Sequence, residues 1–197
     1  MGNIRIYNIR RGNKILKFNC KKLLIIKIMQ YLYTQVRLKG VIIKMKKKIY
    51  ILIQCTWGIP QTLLGFLIFL INIKNKHFFY HGAIITERNV PSSVSLGMFV
   101  FTTTNPMKDK RIVNRIPDEE LSQRLLVHEY GHTIQSLILG PLYLIVMGIP
   151  STLWGFLPYY QHKRNNGVSY FTFFTEKWAN FLGEKVTKEK SMEDAVI

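Results

Sequence analysis

Two long stretches of this chain contain no charged side chain. The first covers residues 49–73 and is flanked by Lys46–Lys48 on one side and by Lys74 and Lys76 on the other. As a helix, its 25 residues would extend about 37 Å, more than the roughly 30 Å hydrocarbon core of a bilayer. The length and the flanking lysines therefore predict a membrane-spanning segment, with a buried helix of a soluble protein as the alternative.

The second stretch, residues 133–161, is interrupted by Gly140-Pro141, Pro150 and Pro158. These residues exclude one straight helix, because proline lacks the backbone N–H and clashes with the preceding turn. Such breaks are tolerated in lipid where neighbouring groups satisfy the freed backbone. We therefore expect residues 141–161 to form either a kinked span or a re-entrant hairpin.

A ten-residue repeat connects the two stretches. The sequence GIPQTLLGFL at residues 58–67 matches GIPSTLWGFL at residues 148–157 at eight of ten positions. Paired Gly and Pro interruptions are typical of broken helices in membrane proteins. The repeat predicts two equivalent broken helices that pack together through small residues.

The region between the two stretches is more polar. Segments His77–Thr86 and Val94–Thr104 are rich in β-branched and aromatic residues and are separated by Pro91-Ser92-Ser93. They predict two strands that would pair as a β-hairpin.

A helix is predicted after these strands. Pro117 is followed by three acidic residues, a typical helix start, and Gly140-Pro141 should end the helix after Leu139. We therefore expect a mainly α membrane protein, in which kinked hydrophobic helices and a small β-hairpin pack beside this helix.

Net charge raises the question of a nucleic-acid partner, since the 197 residues carry a formal charge of +17. Residues 1–44 account for most of it, with eleven Lys or Arg and no acid. This segment is either a basic arm that binds nucleic acid or anionic lipid, or a mistranslated or disordered leader before a start at Met45. We favour the leader, place a single domain at residues 45–197, and expect no nucleic-acid partner.

The predicted helix carries the motif His128-Glu129-Tyr130-Gly131-His132. Histidines four residues apart project from one helix face, and two imidazoles placed in this way can bind one Zn²⁺. Glu129 would lie beside the open position of the metal, where a carboxylate can take a proton from zinc-bound water. We expect His128 and His132 to be metal ligands and Glu129 to be the general base.

At these residues the chain resembles the zincin metallopeptidases, and the preceding strands resemble the sheet edge that holds substrate in that superfamily. The resemblance implies a third protein ligand. Neither the later His of metzincins nor the Leu-Asp-Gly of site-2-type intramembrane proteases follows the motif. The gluzincin pattern, a Glu on a second helix, is matched by Glu176, with Asn180 where that family has an acid. His162 and His81 are the other candidates.

Together these features predict a zinc metallopeptidase of the cell membrane that acts on a peptide or a membrane protein. The alternatives are a non-enzymatic integral membrane protein with a structural or vestigial metal site, and a nucleic-acid or lipid binder that uses residues 1–44. A full crossing by residues 141–161 would place Glu176 across the bilayer from His128. Glu176 can therefore be a ligand only if this segment is re-entrant or the site lies within the membrane.

Overall fold

The computed structural model describes residues 6–11, 14–19, 47–104 and 116–193. The chain divides into two compact units, Met1–Lys44 and Met45–Ile197. In the first unit, strands β1 (Ile6–Arg11) and β2 (Lys14–Asn19) pair in antiparallel fashion. The sequence analysis predicted no element there.

The second unit is mainly helical and carries a small mixed sheet. Its helices are α1 (Lys47–Thr56), α2 (Ile59–Ile71), α3 (Asp118–Leu139), α4 (Ile149–Phe156), α5 (Pro158–Asn165) and α6 (Phe174–Thr187). Its strands are β3 (His77–Tyr80), β4 (Ala83–Arg88), β5 (Val94–Leu96) and β6 (Phe99–Thr103). The predicted bounds of α3 are confirmed, with Pro117 at the N-cap and Gly140 after the last turn.

The sheet corrects the predicted single hairpin. Each of the two predicted strands folds into a hairpin of its own, and the strand order is β3-β4-β6-β5, with β4 and β6 parallel. The chain reverses at His81-Gly82, where both residues have positive φ, and at Gly97, where φ is 62°. Glycine adopts this conformation without steric cost, so Gly82 and Gly97 each permit a tight reversal inside a β-rich segment.

Both hydrophobic stretches are broken helices, as predicted. The chain bends by 100° between α1 and α2, and by 118° between Asp118–Leu142 and Leu144–Phe156. Gly58 and Pro60 lie at the first bend, and Gly140, with φ of 54°, lies at the second. Within the described residues, no individual helix has the length and apolar character needed to cross a bilayer, whereas each bent pair meets both requirements when its halves are combined.

The repeated segments begin α2 and α4. The first directly follows its bend, whereas a π-helical turn, Leu144–Gly148, lies between the second bend and α4 and continues into it without a break. The glycines inside them have different surroundings. A Cβ on Gly65 would lie 2.5 Å from the carbonyl oxygen of Leu96, whereas a Cβ on Gly155 would meet nothing within 4 Å. The expected packing of the two repeats on each other through these glycines is therefore wrong.

Buried amide side chains attach the first bent pair to α3. Gln54 donates to the carbonyl of Thr133 at 3.0 Å, and Gln61 donates to Ser136 Oγ at 2.8 Å and to the carbonyl of Gly140 at 3.0 Å. Ser136 Oγ in turn donates to Gln54 Oε1 at 3.0 Å. Because these groups are buried, leaving one unpaired would cost about 1–3 kcal/mol, so the network holds α1 and α2 at one position along α3.

Helices α3 and α6 cross at very short range through two glycines. A Cβ on Gly131 would lie 1.9 Å from the carbonyl oxygen of Ala179, and a Cβ on Gly183 would lie 2.2 Å from that of Val127. In both cases the obstacle is the backbone of the opposite helix, which cannot move aside as a side chain can. The crossing therefore requires glycine at both positions.

Gly131→Ala should lower the melting temperature of the protein, because the added methyl forces α6 away from α3. Overpacking of this kind costs about 1–3 kcal/mol or more. Gly155→Ala is the matched control, since it makes the same change in a helix with open space around it, where alanine is favoured by up to about 1 kcal/mol. Thermal unfolding followed by circular dichroism compares the two, and equal melting temperatures would contradict the close crossing.

Candidate metal centre

Two helices bring three potential ligands together in the protein interior. His128 and His132 lie one turn apart on α3, and Glu176 lies in the first turn of α6. Nε2 of each histidine is 3.3 Å from Oε2 of Glu176, and the three ligand atoms lie within 4.8 Å of one another. All three residues are buried, and as a group they could hold a metal ion.

These distances suit a tetrahedral ion. In a tetrahedral zinc site with metal–ligand bonds of about 2.0–2.1 Å, adjacent ligand atoms are separated by about 3.3–3.4 Å. The two histidine–Glu176 distances of 3.3 Å match such edges. Two of the three separations in the group thus have the length of an edge in a tetrahedral site.

Amide oxygens orient both imidazoles toward this point. Nδ1 of His128 is 2.7 Å from Oδ1 of Asn180, and Nδ1 of His132 is 2.8 Å from Oε1 of Gln135. Gln135 donates its Nε2 to the carbonyl of Thr175, which fixes the orientation of its amide. Since an amide oxygen only accepts hydrogen bonds, each Nδ1 carries a proton, and the lone pair of a neutral imidazole then lies on Nε2, facing Glu176.

Two hydroxyl groups hold the other oxygen of Glu176. Oε1 accepts hydrogen bonds from Ser151 Oγ at 2.6 Å and from Thr175 Oγ1 at 2.7 Å. Ser151 belongs to α4 and is also 3.4 Å from the hydroxyl of Tyr170. The carboxylate of Glu176 is thus positioned through Oε1, which leaves Oε2 directed at the histidines.

His132 and Glu176 form a buried ion pair. Burial by itself would raise the pKa of Glu176, but the adjacent His132 and His128 hold that pKa well below its ordinary value. Burial by itself would lower the pKa of His132, but the charges of Glu176 and Glu129 and the hydrogen bonds to this imidazole raise it to about 9. A positive charge between these groups is therefore favoured, whether it is carried by a proton or by a metal.

Glu129 is buried beside this group and is not one of its members. Its Oε2 accepts a hydrogen bond of 2.6 Å from Ser95 Oγ, on the edge strand β5. Its charge still contributes to the raised pKa of His132. Glu129 thus lies close to the ligands, with its carboxylate held by the sheet.

The other two histidines considered as ligands lie elsewhere. His81 is in the β3–β4 turn, and its ring centroid is 5.5 Å from that of Tyr130. His162 is exposed on α5 and is hydrogen-bonded to Asn166 at 3.0 Å. Of the three candidates for third ligand, the structure brings Glu176 to His128 and His132.

Comparisons with protein-family models, with curated proteins and with solved structures found no match to this chain. The class of protein must therefore be argued from the site itself.

The group should bind about one Zn²⁺ per chain, and His132→Ala should abolish this binding because it removes one of three ligands. His162→Ala is the matched control, since this histidine is exposed and its hydrogen-bond partner is Asn166, which is not part of the candidate metal group. Elemental analysis of the purified full chain measures the metal content. Unchanged zinc in His132→Ala would show that the metal is bound elsewhere.

Asn180 offers a second, finer test of the centre. Asn180→Ala removes the acceptor of the His128 Nδ1 proton and should lower metal affinity about 10–100-fold, the usual effect of losing such a partner. Asn180→Asp keeps an acceptor and should bind metal at least as tightly as the natural protein. Competition with a chromogenic chelator gives the affinities, and equal values for all three proteins would refute the orienting role of Asn180.

Proposed function

We propose that this protein is a zinc-dependent hydrolase that cleaves peptide bonds. One observation carries the proposal. Nε2 of His128, Nε2 of His132 and Oε2 of Glu176 converge on one point, while Glu129, between the histidines in sequence, is held apart by Ser95. Three ligands with a nearby carboxylate that is not a ligand form the arrangement of a hydrolytic zinc site.

His128, His132 and Glu176 would hold the metal. Two imidazoles and one carboxylate are a ligand set of catalytic zinc centres, which leave the fourth position open to water or substrate. Zn²⁺ bound there would supply Lewis acidity toward water and toward the substrate carbonyl. The hydrogen bonds that the two imidazoles donate to Asn180 and Gln135 preorganise them for this role.

Glu129 would act as the general base and then as the general acid. Its carboxylate takes a proton from the attacking water and delivers it to the leaving amine. Ser95 donates to Oε2 of this carboxylate, which limits its motion and keeps it near the ligands. Because Ser95 belongs to β5, the sheet itself positions the base.

Two tyrosine hydroxyls lie near the carboxylates and remain protonated. Burial raises the pKa of Tyr143 and of Tyr170, and the charges of Glu129 and Glu176 raise both further. A neutral phenol that faces anionic groups is a hydrogen-bond donor. The Tyr143 hydroxyl donates to the carbonyl of Ser95 at 3.3 Å, whereas the Tyr170 hydroxyl is 3.4 Å from Ser151 Oγ, which binds Glu176. Tyr170 is therefore our candidate to stabilise the oxyanion that forms when water adds to a peptide carbonyl.

Strand β5 favours an extended peptide as the substrate. It lies at the edge of the sheet, beside α3, and its Ser95 touches Glu129. An edge strand can accept an extended chain through main-chain hydrogen bonds. A peptide added there would run close to the base and to the metal ligands.

A metal held only for stability is the second candidate, favoured by the burial of all three ligands. Their exposed fractions are 2%, 8% and 1% for His128, His132 and Glu176. A purely structural site would have no need of Glu129, so the two functions differ in what that residue does.

Glu129→Gln should leave zinc content and melting temperature nearly unchanged and lower peptide hydrolysis by about 10²–10⁴-fold, because it removes only the proton-accepting carboxylate. Glu176→Gln, the same change at a ligand, should lower zinc affinity as well. Hydrolysis is measured on a fluorogenic peptide library, and zinc by elemental analysis.

Two outcomes would decide against the proposal. Loss of zinc in Glu129→Gln would make this residue a ligand or a structural support. Full retention of both zinc and hydrolysis would show that the activity does not use this base. Either result would leave the structural metal site as the better explanation.

A further inference from the structure

The exposed apolar side chains of the described residues are concentrated in two segments. All but four of the large hydrophobic residues with substantial exposure lie within residues 49–73 or 142–159, the exceptions being Phe79, Val90, Val94 and Val168. The two segments are the outer parts of the bent helix pairs. A surface of this extent is unusual for a protein that faces only water.

The exposed residues follow the spacing of helix faces. On α2 they cover every side except the narrow buried one formed by Gln61, Thr62 and Gly65, and from the second bend through α4 they recur every three or four residues. We call this set the apolar surface: Ile59, Leu63, Leu67, Leu70, Leu142, Ile145, Ile149, Leu153 and Phe156. Its two halves adjoin, because the half-exposed ring of Trp57 packs on Gly140, next to Leu142.

The two apolar segments themselves carry no acidic side chain. No Asp or Glu occurs between residues 45 and 86 or between residues 133 and 175. Exposed Lys47, Lys48 and Lys74 border α1 and α2, and exposed Lys163 lies 4.6 Å from the ring centre of Tyr159, just after α4. Lysines and an exposed tyrosine at the rim of an apolar face complement anionic lipid head groups over acyl chains.

The chain on either side of the second segment, residues 142–159, contributes to the candidate metal centre. His132 precedes it and Glu176 follows it, yet their side chains are 3.3 Å apart. The chain between them therefore leaves the site and comes back to it, as in a re-entrant or interfacial arrangement.

From these observations we infer that the apolar surface docks into an anionic lipid bilayer, with the lysine rim at the head groups. Acyl chains would cover α2 and the outer face of α4. We favour a bilayer over a protein partner because an apolar face bordered by lysines matches both the acyl chains and the anionic head groups of a membrane leaflet.

Helix α4 connects this surface to the metal centre. Its inner side carries Ser151, which holds Glu176, and its outer side carries Ile149, Leu153 and Phe156. A docked bilayer would therefore lie one helix away from the ligands. If the proposed hydrolase function holds, on which this last step rests, the substrate is a protein segment emerging at the membrane surface.

The test is a flotation assay, in which the full chain is transferred from detergent and mixed with two kinds of lipid vesicle. One is phosphatidylcholine alone, and in the other roughly a third of the lipid is phosphatidylglycerol. The protein should float preferentially with the anionic vesicles, and added salt should weaken that preference. Leu153→Asp combined with Phe156→Asp should reduce flotation by at least about tenfold, since acidic groups oppose insertion beside anionic lipid.

Val90→Asp is the matched control, because it makes a similar change at an exposed apolar residue of the β4–β5 loop, outside the surface. It should float like the natural protein. Circular dichroism and zinc content confirm that each variant is folded. Glu129→Gln should also float normally, so that a failure of the hydrolase proposal and a failure of docking remain distinguishable.

Trp57 supplies an independent measurement that needs no acidic variant. Lipids brominated on their acyl chains should quench its fluorescence, and Trp57→Phe should remove the quenched component, because Trp154 and Trp178 are buried. No quenching, or flotation insensitive to both the double substitution and the lipid charge, would overturn the inference. A lipid-free dimer that shields Trp57 and ignores vesicles would assign the surface to a second copy of the chain, and would overturn it as well.

Discussion

The close crossing of α3 and α6 is the constraint on which the centre depends. The histidines are on one helix and Glu176 is on the other, so their 3.3 Å separation exists only because the two backbones touch. Gly131 and Gly183 permit that contact, since a methyl group at either position would enter the opposite backbone. Gly131 lies inside the motif itself. Its role is therefore steric, and a side chain there would act on the metal by moving Glu176.

Polar groups on α3 serve two different purposes along its length. His128 and His132 contribute to the candidate metal group, while Thr133 and Ser136 accept hydrogen bonds from the amides of Gln54 and Gln61 in the first bent pair. Helix α3 thus carries the two histidines and also anchors the first hydrophobic segment. This explains why two glutamines occur within an otherwise apolar stretch and why both are fully buried. In a hydrophobic environment such hydrogen bonds are the specific part of helix association, because apolar contacts alone would not fix the position of one helix along another.

How much could be predicted from the sequence differs between local and distant features. The bounds of α3 follow from Pro117, the acidic first turn and Gly140, all of which act through neighbouring backbone groups. The broken helices follow from Gly and Pro in the same way. Ser95 and Ser151 could not be found, because a serine carries no spacing signal and each meets its carboxylate only through the tertiary fold. The division of each predicted strand into a hairpin was missed because Gly82 and Gly97 were treated as strand residues.

The two repeats place nearly the same ten-residue sequence in two different surroundings. Both segments form an α-helix that exposes apolar side chains, although the first follows a 100° bend and the second continues helically through Gly148. The two positions that differ also have different neighbours. Gln61 in the first repeat reaches α3, and Ser151 in the second holds the metal ligand Glu176. Likewise Trp154 is buried against Phe173, where its counterpart Leu64 is exposed. The matching residues thus give each helix an exposed apolar face, and the substituted residues adapt each helix to its own neighbours.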